Sequence, residues 1–168
     1  MTLAFSTILD KIPTFFVEKI HIGLLKQNLV DYQTFVSIVD KYYKTFTHYE
    51  KPKSHVMPKI HTIREDQFDR WKAGNKIHFT INNRQPSVFQ FAPILKCVSV
   101  QKITITYWFN PKTQKFDTPI VIVKGKELKK KEIELLAVND GFENSKAFFA
   151  YFKENFTGKI IHWTDYKY

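Results

Sequence analysis

The hydrophobic period of this chain changes repeatedly along its length, and that order of periods limits the folds open to it. The opening TLAFSTI alternates like a strand, and Pro13 then leads TFFVEKIHIGLLKQN, whose Phe16, Ile20 and Leu24 fall on one helical face. From Asp31 a second helical pattern runs through Tyr32, Phe35, Val36, Val39, Tyr43 and Phe46, until HYEKPKSHVMP breaks it. Strand-like stretches follow: IHTIR after Pro58, the Gly74 turn into NKIHFTI, then VSVQKITITYW, and PIVIVKG with Gly125 turning the chain. Helical spacing returns in KKEIELLAVND and is stopped by Asn139, Asp140 and Gly141. NSKAFFAYFKENF supplies a last helix with Asn144 or Ser145 as N-cap and Gly158 after its end, and GKIIHW closes as a strand.

Strand, two helices, several strands, two helices and a strand describe an α+β domain with a curled mixed sheet better than alternating βαβ units. A dinucleotide-binding fold is excluded, because no G-x-G-x-x-G follows a strand. In VSVQKITITYW the apolar phase shifts from even positions (Val98, Val100) to odd ones (Ile103, Ile105, Tyr107). A β-bulge near Gln101 and Lys102 would explain that shift and would help the sheet curl into a β-barrel. The 168 residues suffice for a single domain, 1–168.

A lone Cys97 excludes an internal disulfide framework, and its setting in KCVSV marks it as a core thiol. The six histidines show no H-E-x-x-H and no Cys/His spacing suited to zinc, so no metal and no cofactor are expected. No stretch approaches the roughly 20 apolar residues that cross a bilayer, and the N-terminus lacks a basic region followed by a long apolar run, so no membrane association and a cytoplasmic location are expected. The net charge of +10 favours polyanionic partners through counterion release. Part of that excess, Lys124 to Lys131, is most simply a solvated turn entering a helix.

Chemistry-bearing groups are densest in Lys59-Ile60-His61-Thr62-Ile63-Arg64. On a regular strand Thr62 and Arg64 share a face and Lys59 points away, so Lys59 meets Thr62 only where the backbone turns near Ile60. A lysine desolvated beside the cation of Arg64 would have a depressed pKa and could accept the Thr62 hydroxyl proton as that oxygen attacks a carbonyl. Asp140, in Asn139-Asp140-Gly141-Phe142, is the candidate carboxylate to orient the lysine or shuttle a proton. The plainer reading makes Asp140 and Gly141 a helix stop and Lys59 and Arg64 surface charges.

The succession TFFVEKI…GLL, PKIHTIRED, RWKAGNKIHF, NDGF, FFAYF and GKIIHWTD resembles the ASCH family of the PUA-like superfamily. The resemblance spans about residues 1–27 and 55–168 and leaves a helical insertion at about 28–57. Within that superfamily the chain is similar in outline to small bacterial N4-acetylcytidine amidohydrolases, which use a lysine, a threonine and a glutamate. Lys59, Thr62 and Arg64 match their K-x-x-T-x-R motif, and Asp140 falls at the glutamate, one methylene shorter. The resemblance implies a cleft that binds a modified nucleoside or RNA, with Lys59, Thr62 and Asp140 catalytic. Arg64, His61, Trp71, Asn139, Gly141, Phe142 and Trp163 would be the substrate-binding residues. Arg64 or backbone N–H groups near Gly141 could face an oxyanion; Trp71, Phe142 and Trp163 could stack on a pyrimidine, although core packing is the commoner role of such rings. Two other functions remain open: a non-catalytic RNA- or modified-base-binding module, and an interaction protein that meets a protein partner through the inserted helix.

Overall fold

The computed structural model describes residues 1–112, 114–116 and 118–168. The chain opens with β1 (Thr2–Ala4) and a hairpin of β2 (Ile8–Leu9) and β3 (Ile12–Pro13), followed by α1 (Phe16–Lys26) and α2 (Tyr32–Thr45). A strand-rich stretch contains β4 (His61–Arg64), β5 (Lys76–Ile81), β6 (Phe89–Gln90), β7 (Leu95–Lys96) and β8 (Ser99–Thr106). It continues through β9 (Phe109–Asn110), β10 (Lys115–Phe116), β11 (Ile120–Val123) and β12 (Lys126–Glu127). The last elements are α3 (Lys130–Asn139), α4 (Ser145–Tyr151) and β13 (Phe156–His162). Asp31 caps α2 by accepting from Thr34 N at 2.8 Å, and Asn144 caps α4 by accepting from Ala147 N at 2.9 Å.

The architecture is mixed α+β, with two main sheets. In one, β5 pairs parallel with β1 and antiparallel with β6 and β7; the other is antiparallel in the order β12-β11-β8-β13-β4. Each sheet has its own core. The first packs Leu3, Ile77, Phe79 and Phe91 against Val17, Ile20 and Leu24 of α1 and Tyr42 of α2. The second packs Ile63, Ile103, Ile105, Val121 and Ile160 against Ile133 and Leu136 of α3 and Phe148 of α4. Cys97 is buried in the first core. So are Tyr42 and Phe46, which means that the 28–57 segment contributes to the domain's own interior.

Four expectations need correction. Among the described residues no sheet closes into a barrel. The bulge is absent: β8 and β13 pair without interruption from Phe156↔Ile105 to His162↔Ser99. The apolar phase shifts because β8 changes core, Val100 packing against the first and Ile103 and Ile105 lying in the second. Pro13 does not start a helix; it pairs with Ile8 in the hairpin, and α1 begins at Phe16 after Phe15 takes a left-handed conformation, φ 53°. Gly158 lies inside β13 rather than after a helix.

Lys59 and Ile60 run between the two layers. Lys59 N donates to Lys19 O of α1 at 2.9 Å, and Ile60 N donates to Asn139 O of α3 at 3.0 Å. Gly23 permits this approach, because a Cβ there would stand 2.5 Å from the Lys59 carbonyl oxygen. No helix among the described residues is long and apolar enough to cross a membrane.

Candidate functional site

Because Lys59 precedes β4, it escapes the strand alternation that would have turned it away from Thr62. Its side chain is 2% exposed and enters the space between the layers. There Nζ donates to Asp140 Oδ1 at 2.6 Å and also to the Asp140 carbonyl. Asp140 is the C-cap of α3, and the same Oδ1 accepts from Ile63 N at 3.1 Å. Gly141 follows at φ 91°, and a Cβ on it would lie 2.9 Å from the Phe16 ring and 3.0 Å from the Lys59 stem. This close approach brings the Asp140 carboxylate within reach of the lysine.

One pocket of about 40 Å³ is bounded by Lys59, Thr62, Arg64, Asp140 and Phe142, together with Ser6, Leu9, Phe16, Tyr151 and Phe152. Among the described residues the Thr62 hydroxyl makes no hydrogen bond, so Lys59 is held by Asp140 and not by Thr62. Arg64 donates to Ala4 O at 2.8 Å, with its guanidinium 5.2 Å from the Phe5 ring centre. The Lys59 ammonium lies 5.0 Å from the Phe16 ring centre, a favourable cation–π distance.

Burial brings Lys59 down to about 8; Asp140 opposes that shift, while Arg64 and Lys19 add to it. Burial pushes the Asp140 carboxyl up, but the Lys59 ammonium and the nearby His61 ring together more than offset this and hold it below its usual value. The pair is therefore a buried carboxylate facing an ammonium that loses its proton unusually easily. His61 is fully buried behind it and is lowered chiefly by burial. Its Nδ1 stands 3.7 Å from Asp140 Oδ1, too far for a hydrogen bond. Its Nε2 is 2.8 Å from the Tyr168 hydroxyl, which also accepts from Asn139 Nδ2 at 3.0 Å.

The structure thus brings Lys59, Thr62, Arg64, Asp140 and Phe142 to one pocket, with Gly141 in the adjoining cleft. His61 and Asn139 support it from behind through Tyr168. Trp71 and Trp163 do not line it: at 6% and 1% exposure both belong to the first core, which corrects their placement as stacking residues. Sequence reasoning missed Phe16, Lys19 and Tyr168. Phe16 looked like core, yet it turns half-exposed into the pocket. Lys19 donates to Gly141 O at 2.7 Å. Lys19 lies in TFFVEKI, which reads only as part of a helix, and Tyr168, 107 positions from His61, carries no motif. Among the described residues no group of three or more His, Cys, Asp and Glu is arranged to hold a metal ion.

Compared with known proteins, the chain matches no family model, no curated protein and no solved structure.

Proposed function

We propose that this chain is a small amidohydrolase of ASCH, PUA-like type that removes an N4-acyl group from a cytidine-like nucleoside. One observation carries the reading: the buried Lys59–Asp140 pair opens on the same pocket as the unengaged Thr62 hydroxyl. Thr62 Oγ1 attacks the acyl carbonyl, neutral Lys59 takes the hydroxyl proton, and that proton passes to the departing amine. Asp140 orients the lysine throughout. Arg64 supplies positive charge near the developing oxyanion. The depressed Lys59 pKa supports the base role, because a usable neutral fraction exists near pH 8. The contact between lysine and hydroxyl forms when substrate fills the pocket, as catalytic hydrogen bonds tighten on loading.

The test is hydrolysis of N4-acetylcytidine by wild type, Lys59→Ala and Thr62→Val. Loss of the base or the nucleophile should lower the rate by about 10²–10⁴-fold. Equal rates for wild type and Lys59→Ala would sink the reading.

A second reading is a module that binds RNA or a modified base without chemistry. It is favoured by the net charge of +10 and by the engagement of Lys59 with Asp140 instead of Thr62. RNA affinity that falls steeply with salt, without hydrolysis, would support it over the enzyme.

A further inference from the structure

Residues 6–13, which carry the β2–β3 hairpin, wall the Lys59 pocket without being held by either core. The chain is anchored firmly on both sides of them. Phe5 is buried and its N donates to Thr80 O at 2.8 Å, while Lys19 N in α1 donates to Phe15 O at 2.9 Å. Among the described residues, the hydrogen bonds of the segment between these anchors stay within it: Thr14 N to Thr7 O at 2.9 Å, Thr14 Oγ1 to Ser6 O at 2.7 Å, and the pairing of β2 with β3. The hairpin pairs with no third strand there, and Ile8 and Ile12 are exposed. Neighbouring walls are fixed: Phe16 packs on the first core, and Ile63, Phe142 and Phe152 pack in or on the second.

The hairpin separates three cavities. Ser6 and Leu9 bound the pocket of about 40 Å³ that contains Lys59, Thr62 and Asp140. Leu9 and Ile12 also face a cleft of about 550 Å³, with Met57 and Tyr151 on its other walls. Thr7 and Lys11 face a third space of about 250 Å³ against Tyr42 and Tyr49. A water needs about 10–15 Å³ of such space, so the small pocket has room for about three water-sized atoms. Anything larger reaches Thr62 only when a wall moves, and the hairpin is the wall with the fewest ties. Its form suits motion as a unit: Asp10 and Lys11, at φ 48° and 67°, make a tight hairpin turn. Phe15, at φ 53°, holds a left-handed conformation that residues other than Gly, Asn and Asp seldom adopt, so a swing at this point relieves strain stored in the closed form.

We propose that the β2–β3 hairpin is a lid: it swings about Ser6 and Phe15 to join the Lys59 pocket to the large cleft, admits the ligand, and closes with Leu9 against it. Closure shuts out water and strengthens the electrostatic interactions inside. The lid goes beyond the hydrolase reading, because a module that only binds needs the same opening to bring a ligand to these groups.

Access to Lys59 is read by labelling the native protein with trinitrobenzenesulfonate, an amine reagent too large for the closed pocket, and locating the label by peptide mass spectrometry. Labelling is run at pH 8, where Lys59 is partly neutral, with the exposed Lys102 as reference. In one variant residues 8–13 are replaced by Gly-Gly, which closes the Thr7 and Thr14 pair with a two-residue turn and removes no core residue. In the other, Leu9→Cys and Tyr151→Cys, which border the same pocket, are joined by a short thiol cross-linker that holds the lid shut; the native Cys97 is buried. A minor open state populated at about 0.1–10% predicts that shortening the hairpin speeds labelling of Lys59 by about 10–1,000-fold. Cross-linking should slow it by about 10-fold or more relative to the same protein without the linker, and Lys102 should react alike throughout. Equal labelling of Lys59 with and without the cross-link overturns the lid, as does a shortened hairpin that keeps the wild-type Tm and labels no faster. Should the shortened chain fail to fold, the cross-link comparison decides alone. Because labelling requires no turnover, failure of the lid and failure of the hydrolase reading are separate results.

Discussion

Replacing Asp140 by Asn leaves the Lys59 ammonium buried without its counter-ion. Lys59 is 1% exposed and its Nζ lies 2.6 Å from the carboxylate, so water cannot take over the lost partner. Breaking a buried pair from one side costs about 3–5 kcal/mol. At about 2–4 °C per kcal/mol for a chain of this size, Tm at pH 6 should fall by about 6–20 °C. The cost must also depend on pH. Wild-type Lys59 titrates near 8 when folded, against about 10.4 when unfolded. Between those values the unfolded chain keeps the extra proton, so the folded state gains stability as pH rises, by up to about 1.4 kcal/mol per unit. Asp140 is the group that holds the lysine pKa up, so in the Asn variant this gain starts below pH 8. Asp140 itself is ionised in both states from pH 6 to 8 and adds no slope there. The deficit of the variant should therefore shrink between pH 6 and pH 8. Urea denaturation at pH 6, 7 and 8 measures both effects. Lys126→Ala, which breaks an exposed pair with Glu132, is the control and should cost about 0–1 kcal/mol throughout. A deficit below about 1 kcal/mol, or one that stays flat over this range, refutes Lys59 as a buried charge.

The pH profile of amide hydrolysis should rise to a plateau above about 8 as Lys59 loses its proton, and Arg64→Met, which removes a cation that lowers Lys59, should move that limb upward. Gly23→Ala places a Cβ 2.5 Å from the Lys59 carbonyl oxygen; it should cost about 1–3 kcal/mol in chemical denaturation and reduce activity by shifting Lys59. Burial lowers His162 to about 3. The unfolded chain therefore takes up a proton from about pH 6.5 downward while the native one does not, and stability should fall with acid by up to about 1.4 kcal/mol per unit. His162→Gln should make that acid limb shallower, with the buried His61 still contributing to it. Tyr168→Phe removes the hydroxyl shared by His61 and Asn139; leaving these groups unpaired should cost about 1–3 kcal/mol, read as a lower denaturation midpoint.

The helices were legible because their signals are local. The helical pattern read from Asp31 onward matches α2, Asn144 caps α4 as the sequence predicts, and Gly141 follows the end of α3. Pro13 misled because φ near −65° suits a β-hairpin as well as a first helical turn, and the pairing with Ile8 decided between them. The phase shift in β8 was also visible, but one strand cannot reveal that different cores cover different stretches of it, so a bulge looked sufficient. At the site, Lys59, Thr62 and Arg64 stood out as a dense polar run, and Asp140, at a helix end, as the candidate carboxylate. The tethers that place Lys59 could not be seen, since they are backbone bonds to Lys19 and Asn139 made by residues of any type.

The position of the pair between the two layers links its cost to its chemistry. A buried ion pair is a poor source of stability, and an apolar pair of similar volume would hold α1, α3 and β4 together at least as well. The same desolvation that makes the arrangement costly lowers the Lys59 pKa toward the range where an amine serves as a base. That desolvation arises from Phe16 on α1 and the backbone of α3 closing over one lysine, and Gly23 and Gly141 are what let these elements approach so closely. Packing and protonation at Lys59 therefore cannot be varied separately: a substitution that loosens the junction and admits water should stabilise the charge, raise the pKa and leave less of the amine unprotonated near neutral pH.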